Sequence, residues 1–84
     1  MKRLRTNDDI IDYIKMPHIE LIGNTQCIIE GMKSIIEYTK GRIKVDTGKM
    51  NVTISGDGLY INSFTPDGAT VEGEIVALEF ESNA

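Results

Sequence analysis

Beyond His18 the apolar residues fall in short runs, at 19–21, 28–29, 35–36, 43–45, 52–54, 59–61, 71 and 75–80, with polar residues or glycines between them. Where they alternate they do so with a period of two, the mark of strands that bury one face. The glycines sit mostly in the gaps, where a chain reversal needs positive φ, and they predict strands of roughly four to seven residues. The clearest alternation is Met50-Asn51-Val52-Thr53-Ile54, followed by Ser55-Gly56-Asp57-Gly58 and then Leu59-Tyr60-Ile61. This pattern predicts a hairpin reversing at 55–58. Thr65-Pro66-Asp67-Gly68 has proline and glycine where a type I turn wants them, and predicts a second reversal into a last strand over 69–80. That strand is long enough to bend, and Gly73 is the place for it.

The first residues follow a different rhythm. Ile10, Ile11 and Ile14 stand at helical spacing behind Asp8 and Asp9, and Pro17 blocks continuation. The reading is a leader over residues 1–16 holding one short amphipathic helix, then a single β-domain over 17–84. About two helical turns are marginal alone and need an apolar surface to lie on. For the β-body two topologies fit the repeat of apolar runs: an antiparallel meander or small roll, and a short β-solenoid. Tight reversals favour the meander, since they link antiparallel neighbours.

Composition narrows the function classes. Eighty-four residues with 40% apolar and 26% charged side chains make one small globular unit. The net charge of -4 is unevenly spread: residues 1–49 hold nine bases and seven acids, whereas 50–84 hold six acids and no base. Such a chain is a poor candidate for coating nucleic acid, and no nucleic-acid partner is expected. Lone Cys27 cannot form an internal disulfide, which suits a reducing, cytoplasmic setting. The basic start is followed by Thr6-Asn7-Asp8-Asp9 where a signal peptide needs an apolar stretch, and no run approaches the roughly 20 residues of a membrane span.

Candidate chemistry is sparse. Val45-Asp46-Thr47-Gly48 has the letters of an aspartic-protease loop, in which two Asp46 carboxylates of a dimer would share a proton. Lys49 beside them opposes that site, and a strand ending in a turn explains the same residues. His18 and Cys27, each the only one of its kind, cannot build a metal cluster, and Cys27 sits in an apolar run where a thiol acts as a small hydrophobe. No cofactor is expected, because Gly48-Lys49 leads to Met50 and lacks the order of a phosphate-binding loop. Asn51-Val52-Thr53 has the form of a glycosylation acceptor, but without an export signal it reads as strand. Tyr38, Tyr60 and Phe64, near Arg42, Lys44 and Lys49, would serve a weak single-strand nucleic-acid module, against which stands an ordinary solvated face.

The order of segments resembles a known family. Pro17-His18-Ile19-Glu20-Leu21-Ile22-Gly23, Ile29-Glu30-Gly31, Ile36-Glu37-Tyr38-Thr39, Ile43-Lys44-Val45, Gly48 through Ile61, Val71-Glu72-Gly73-Glu74-Ile75 and Leu78-Glu79-Phe80 are similar to the YabP/YqfC family of sporulation proteins. The proline followed by Leu-Ile-Gly and the Ile-Glu-Tyr segment are closest to the YqfC branch. The resemblance implies a non-enzymatic protein of the mother cell that helps build the spore envelope. It also implies a protein partner, since relatives of that branch are encoded beside a membrane protein, and so a place at the membrane around the forespore. Expected contact residues are Arg42, Lys44 and Tyr60 on a polar face, with Ile10, Ile11 and Ile14 as a second docking surface. Glu72 and Glu74 share one face of the last strand. If they and the bases occupy different edges, head-to-tail contact between copies becomes favourable and salt-sensitive.

Overall fold

The computed structural model describes residues 16–82. The helix expected around Ile10, Ile11 and Ile14 lies outside them. Six antiparallel strands form one sheet: β1 (His18–Ile22), β2 (Gln26–Glu30), β3 (Ser34–Tyr38), β4 (Arg42–Asp46), β5 (Met50–Thr65) and β6 (Gly68–Ser82). Their order across the sheet is β1-β2-β6-β5-β4-β3. Every pairing is antiparallel, so the solenoid alternative does not hold. The chain from β3 to β6 is a meander. Its last strand then returns to pair with β2, a closure that local sequence does not encode.

The hairpin expected at 55–58 is not there. The chain continues through those residues as one strand, and β5 and β6, at 16 and 15 residues, are far longer than the four to seven expected. What the glycines build is a corner. The β5–β6 register shifts at Ser55/Gly56 and again between Asp57 and Tyr60, which is how bulges bend a ribbon from one layer into another. Opposite them Gly73 takes φ +135°, and a Cβ there would lie 2.7 Å from the Gly58 carbonyl oxygen. At Gly56 a Cβ would overlap the carbonyl oxygen of Glu74. The bend expected at Gly73 is therefore present, and it is shared by both strands.

The corner divides the sheet into two leaves. In the first leaf, residues 68–72 of β6 lie between β2 and residues 60–65 of β5, with β1 outside β2. The second leaf runs from the C-terminal part of β6 through the N-terminal part of β5 to β4 and β3. The connection from β2 to β3 joins them at the far side: Gly31 and Met32 donate their N–H groups to the Asp67 carbonyl at 2.8 and 3.0 Å, and Lys33 donates to that of Asp46 at 2.7 Å. The β5–β6 turn and the end of β4 thus meet at this connection, and the sheet is rolled over its own apolar face.

One core fills the roll. Cys27 and Ile29 of β2, Val71 and Ala69 of β6 and Leu59 of β5 meet Ile43 and Val45 of β4 and Val52 and Ile54 of β5, with Met32 of the connection also buried. Each leaf contributes aligned rows, such as Cys27–Val71–Ile61 in the first and Ile43–Ile54–Leu78 in the second. The reversal at Pro66-Asp67 forms as expected. No described residue except glycine has positive φ, which excludes type II and the primed turns there, and Thr65 Oγ1 accepts the N–H of Gly68 at 3.1 Å.

Candidate interaction surface

Alternation on β4 puts Ile43 and Val45 into the core and turns Arg42 and Lys44 outward, as expected. Both are already engaged within the chain. Arg42 Nε lies 3.4 Å from Glu37 Oε1 on β3, and Lys44 Nζ lies 3.4 Å from Glu81 Oε1 on β6, reaching across the outward face of β5. Lys44 of β4 and Glu81 of β6 therefore share one outer face, two strands apart in the order of the sheet.

Tyr60 belongs elsewhere. It faces outward on the first leaf, where its register partner is Glu72, so it does not share a patch with Arg42 and Lys44. Glu72 collects three donors: the Tyr60 hydroxyl at 2.8 Å, Asn62 Nδ2 at 2.9 Å and Gln26 Nε2 at 3.4 Å. The hydrogen bond to the Glu72 carboxylate, its negative charge and some desolvation push the Tyr60 phenol above its ordinary pKa, in that order. Glu74 projects into solvent one register step along, opposite Asp57 at the corner. Glu72 and Glu74 do share the outward side of β6, flanking inward Val71 and Ile75, but only Glu72 is tied into a network. The bases and tyrosine of the expected patch, together with Glu72, form two outer faces held by separate sets of hydrogen bonds and ion pairs.

Among the described residues, the side chains of the rival chemistries hold a turn or stand apart from one another. Asp46 ends β4, and its Oδ1 accepts the N–H of Gly48 at 2.7 Å, while buried Thr47 donates its hydroxyl to the Met50 carbonyl at 2.7 Å. These are the bonds of a turn. His18 faces outward beside Glu20, whereas Cys27 faces the core, so the two point to opposite sides of the first leaf. Tyr38, Tyr60 and Phe64 do not form a stacking platform: Tyr38 belongs to β3, Tyr60 lies on the outer face of the first leaf, and Phe64 is aligned with inward Ala69. Among the described residues no three His, Cys, Asp or Glu side chains are placed to hold a metal ion, and no helix is long and apolar enough to cross a membrane.

Burial pushes the Cys27 thiol up to about 11 from its model-compound value of 9.0. The folded state therefore holds the proton more tightly than the unfolded one. Its stabilising contribution is complete below pH 9 and is lost as the pH rises toward about 11. Native protein at pH 8 is expected to resist a disulfide reagent until urea unfolds it, and a rapid stoichiometric reaction without denaturant would contradict this burial.

Sequence reasoning missed the edges of the roll, which depend on pairings between distant segments. Residues 60–65 of β5 form an edge of the first leaf, and there the Tyr38 hydroxyl accepts the N–H of Ile61 at 2.8 Å, capping it from the other leaf. The β3 edge is interrupted by a register shift at Ile36. Residues 76–82 of β6 pair with β5 alone among the described strands, and they expose Val76 (76%) and Phe80 (58%) beside Glu79 and Glu81. A family model described as the YabP family matches residues 15–84. No curated protein and no solved structure matches the chain.

Proposed function

The chain belongs to the YabP family, and from that premise we propose that it is a sporulation protein of the YqfC kind, acting as a structural element or adaptor on the mother-cell side of the spore envelope. Family membership is consistent with a role in sporulation, and the family is not a known enzyme family. The unit that does the work is the β-domain over 17–84, with the leader over 1–16 and its Ile10, Ile11 and Ile14 as a second contact. The working surface is a sheet edge. Its carrying observation is the outer side of β6 from 76 to 81, where backbone groups that point away from β5 lie beside exposed Val76 and Phe80. Such an edge can accept another strand, gaining affinity from main-chain hydrogen bonds. Arg42, Lys44 and Tyr60 flank the contact rather than centre it, since their charges and hydroxyl are engaged internally.

The partner on this reading is a membrane protein of the sporulation programme, which places the chain peripherally at the membrane around the forespore. Tagged protein recovered from sporulating cells should bring such a protein with it, and Val76→Lys, which places a charge on the edge, should reduce that recovery about tenfold. Recovery of no envelope or membrane protein by the wild-type chain, with normal spore envelopes in its absence, would overturn the adaptor reading.

A further inference from the structure

The second leaf has two open edges, and they differ in kind. One is β3, which exposes Ile36 and the ring of Tyr38, has its own acid Glu37 paired with Arg42, and has Lys33 and Lys40 just beyond its two ends. The other is β6 from 76 to 81, which exposes Val76 and Phe80 and carries Glu79, with Glu81 already ion-paired to Lys44 of the same chain. Directions alternate across β3, β4, β5 and β6. A second copy set down by simple translation would therefore bring its β6 antiparallel to the first copy's β3, continuing the leaf without a break in the pattern.

Resting on the reading that the protein works by strand pairing, we propose that copies join head to tail, β6 of one molecule against β3 of the next, so that only the copy at the end of a row offers its β6 edge to the membrane partner. Charge selects this pairing over the symmetric ones. Joining β6 to β6 would bring the Glu79 side chains of both copies together, and joining β3 to β3 would crowd Lys33 and Lys40, whereas β6 against β3 sets Glu79 near the lysines. Apolar side chains then meet across the seam, Val76 and Phe80 on one side and Ile36 and Tyr38 on the other. The irregularities at Ile36 and at Val76 shorten the run of main-chain hydrogen bonds, so each contact is weak and assembly depends on local concentration. A contact between two different patches does not close on itself as a two-fold dimer does; it extends until its rotation forms a ring.

Light scattering on the full chain tests this. The average mass should climb with protein concentration and fall when salt is raised from about 0.1 M to about 1 M, which shortens the screening length from about 10 Å to about 3 Å. Val76→Lys blocks the β6 edge and Ile36→Lys the β3 edge. Each alone should remain monomeric, while an equimolar mixture should give dimers that grow no further. Circular dichroism checks that both variants fold, and if Ile36→Lys does not, Lys33→Glu with Lys40→Glu blocks the same edge by charge. An Ile36→Lys chain that still dimerises would overturn the head-to-tail contact in favour of β6 with β6. A wild-type chain monomeric at every concentration would overturn self-assembly, and the adaptor reading would then stand or fall on recovery of its membrane partner.

Discussion

Replacing Gly56 by alanine is expected to cost about 3 kcal/mol or more, enough to leave much of the protein unfolded in mild denaturant. A domain of this length has about 4–12 kcal/mol of stability to lose. The cost comes from geometry at the corner. The added Cβ overlaps the Glu74 carbonyl oxygen, so β5 and β6 would have to separate where both bend. Separation also strains two bonds that anchor the β3–β4 turn to the corner, from Gly56 N–H to the Gly41 carbonyl at 3.0 Å and from Leu59 N–H to that of Lys40 at 2.7 Å. Gly58→Ala is the control. Its φ of +62° carries a conformational penalty of about 1 kcal/mol, but a Cβ there meets nothing within 4 Å. Urea titration should rank Gly56→Ala well below Gly58→Ala, and equal midpoints would show that the corner tolerates the crowding.

Ile54→Ala should cost about 2–5 kcal/mol, because Ile54 is fully buried in the middle of the Ile43–Ile54–Leu78 row and the rolled sheet around it can collapse only in part. Val76→Ala, at a side chain 76% exposed, should change stability by less than about 0.5 kcal/mol. The denaturant slope should be the same for both, since neither alters how much surface unfolding exposes. A loss below about 1 kcal/mol at Ile54 would mean that the two leaves do not pack tightly on each other there.

The contrast between the corner and the rest of the sheet shows what is legible in this sequence. Positions of β1 to β4 follow from their period of two, because each pairs with an immediate neighbour through a short reversal. Ser55-Gly56-Asp57-Gly58 misleads for a physical reason. A hairpin and a bent strand both need glycine, and both place Met50, Val52, Ile54, Leu59 and Ile61 toward one core. Only the second strand decides between them: Gly73 lies opposite the corner, and the true reversal comes later, at Pro66-Asp67. The candidate surface was legible in part. Outward Arg42 and Lys44 follow from alternation, but the ion pair between Lys44 and Glu81 depends on the order of strands, as does the pairing of β2 with β6. The Tyr38 hydroxyl on Ile61 is equally silent in sequence, since its two ends meet only after the sheet has rolled.

The return of β6 to β2 also sets a timetable. While the chain is being made, β1 and β2 leave the ribosome before the other described strands, yet the strand that shields Cys27 and Ile29 from the side follows all of them. A two-stranded hairpin alone is marginal in water, so the early segment must wait uncovered while β3, β4 and β5 emerge. The pairing of β6 with both β5 and β2 can come only after β5 has emerged. Any factor that holds nascent β2 would therefore have its opportunity before that step and lose its site after it.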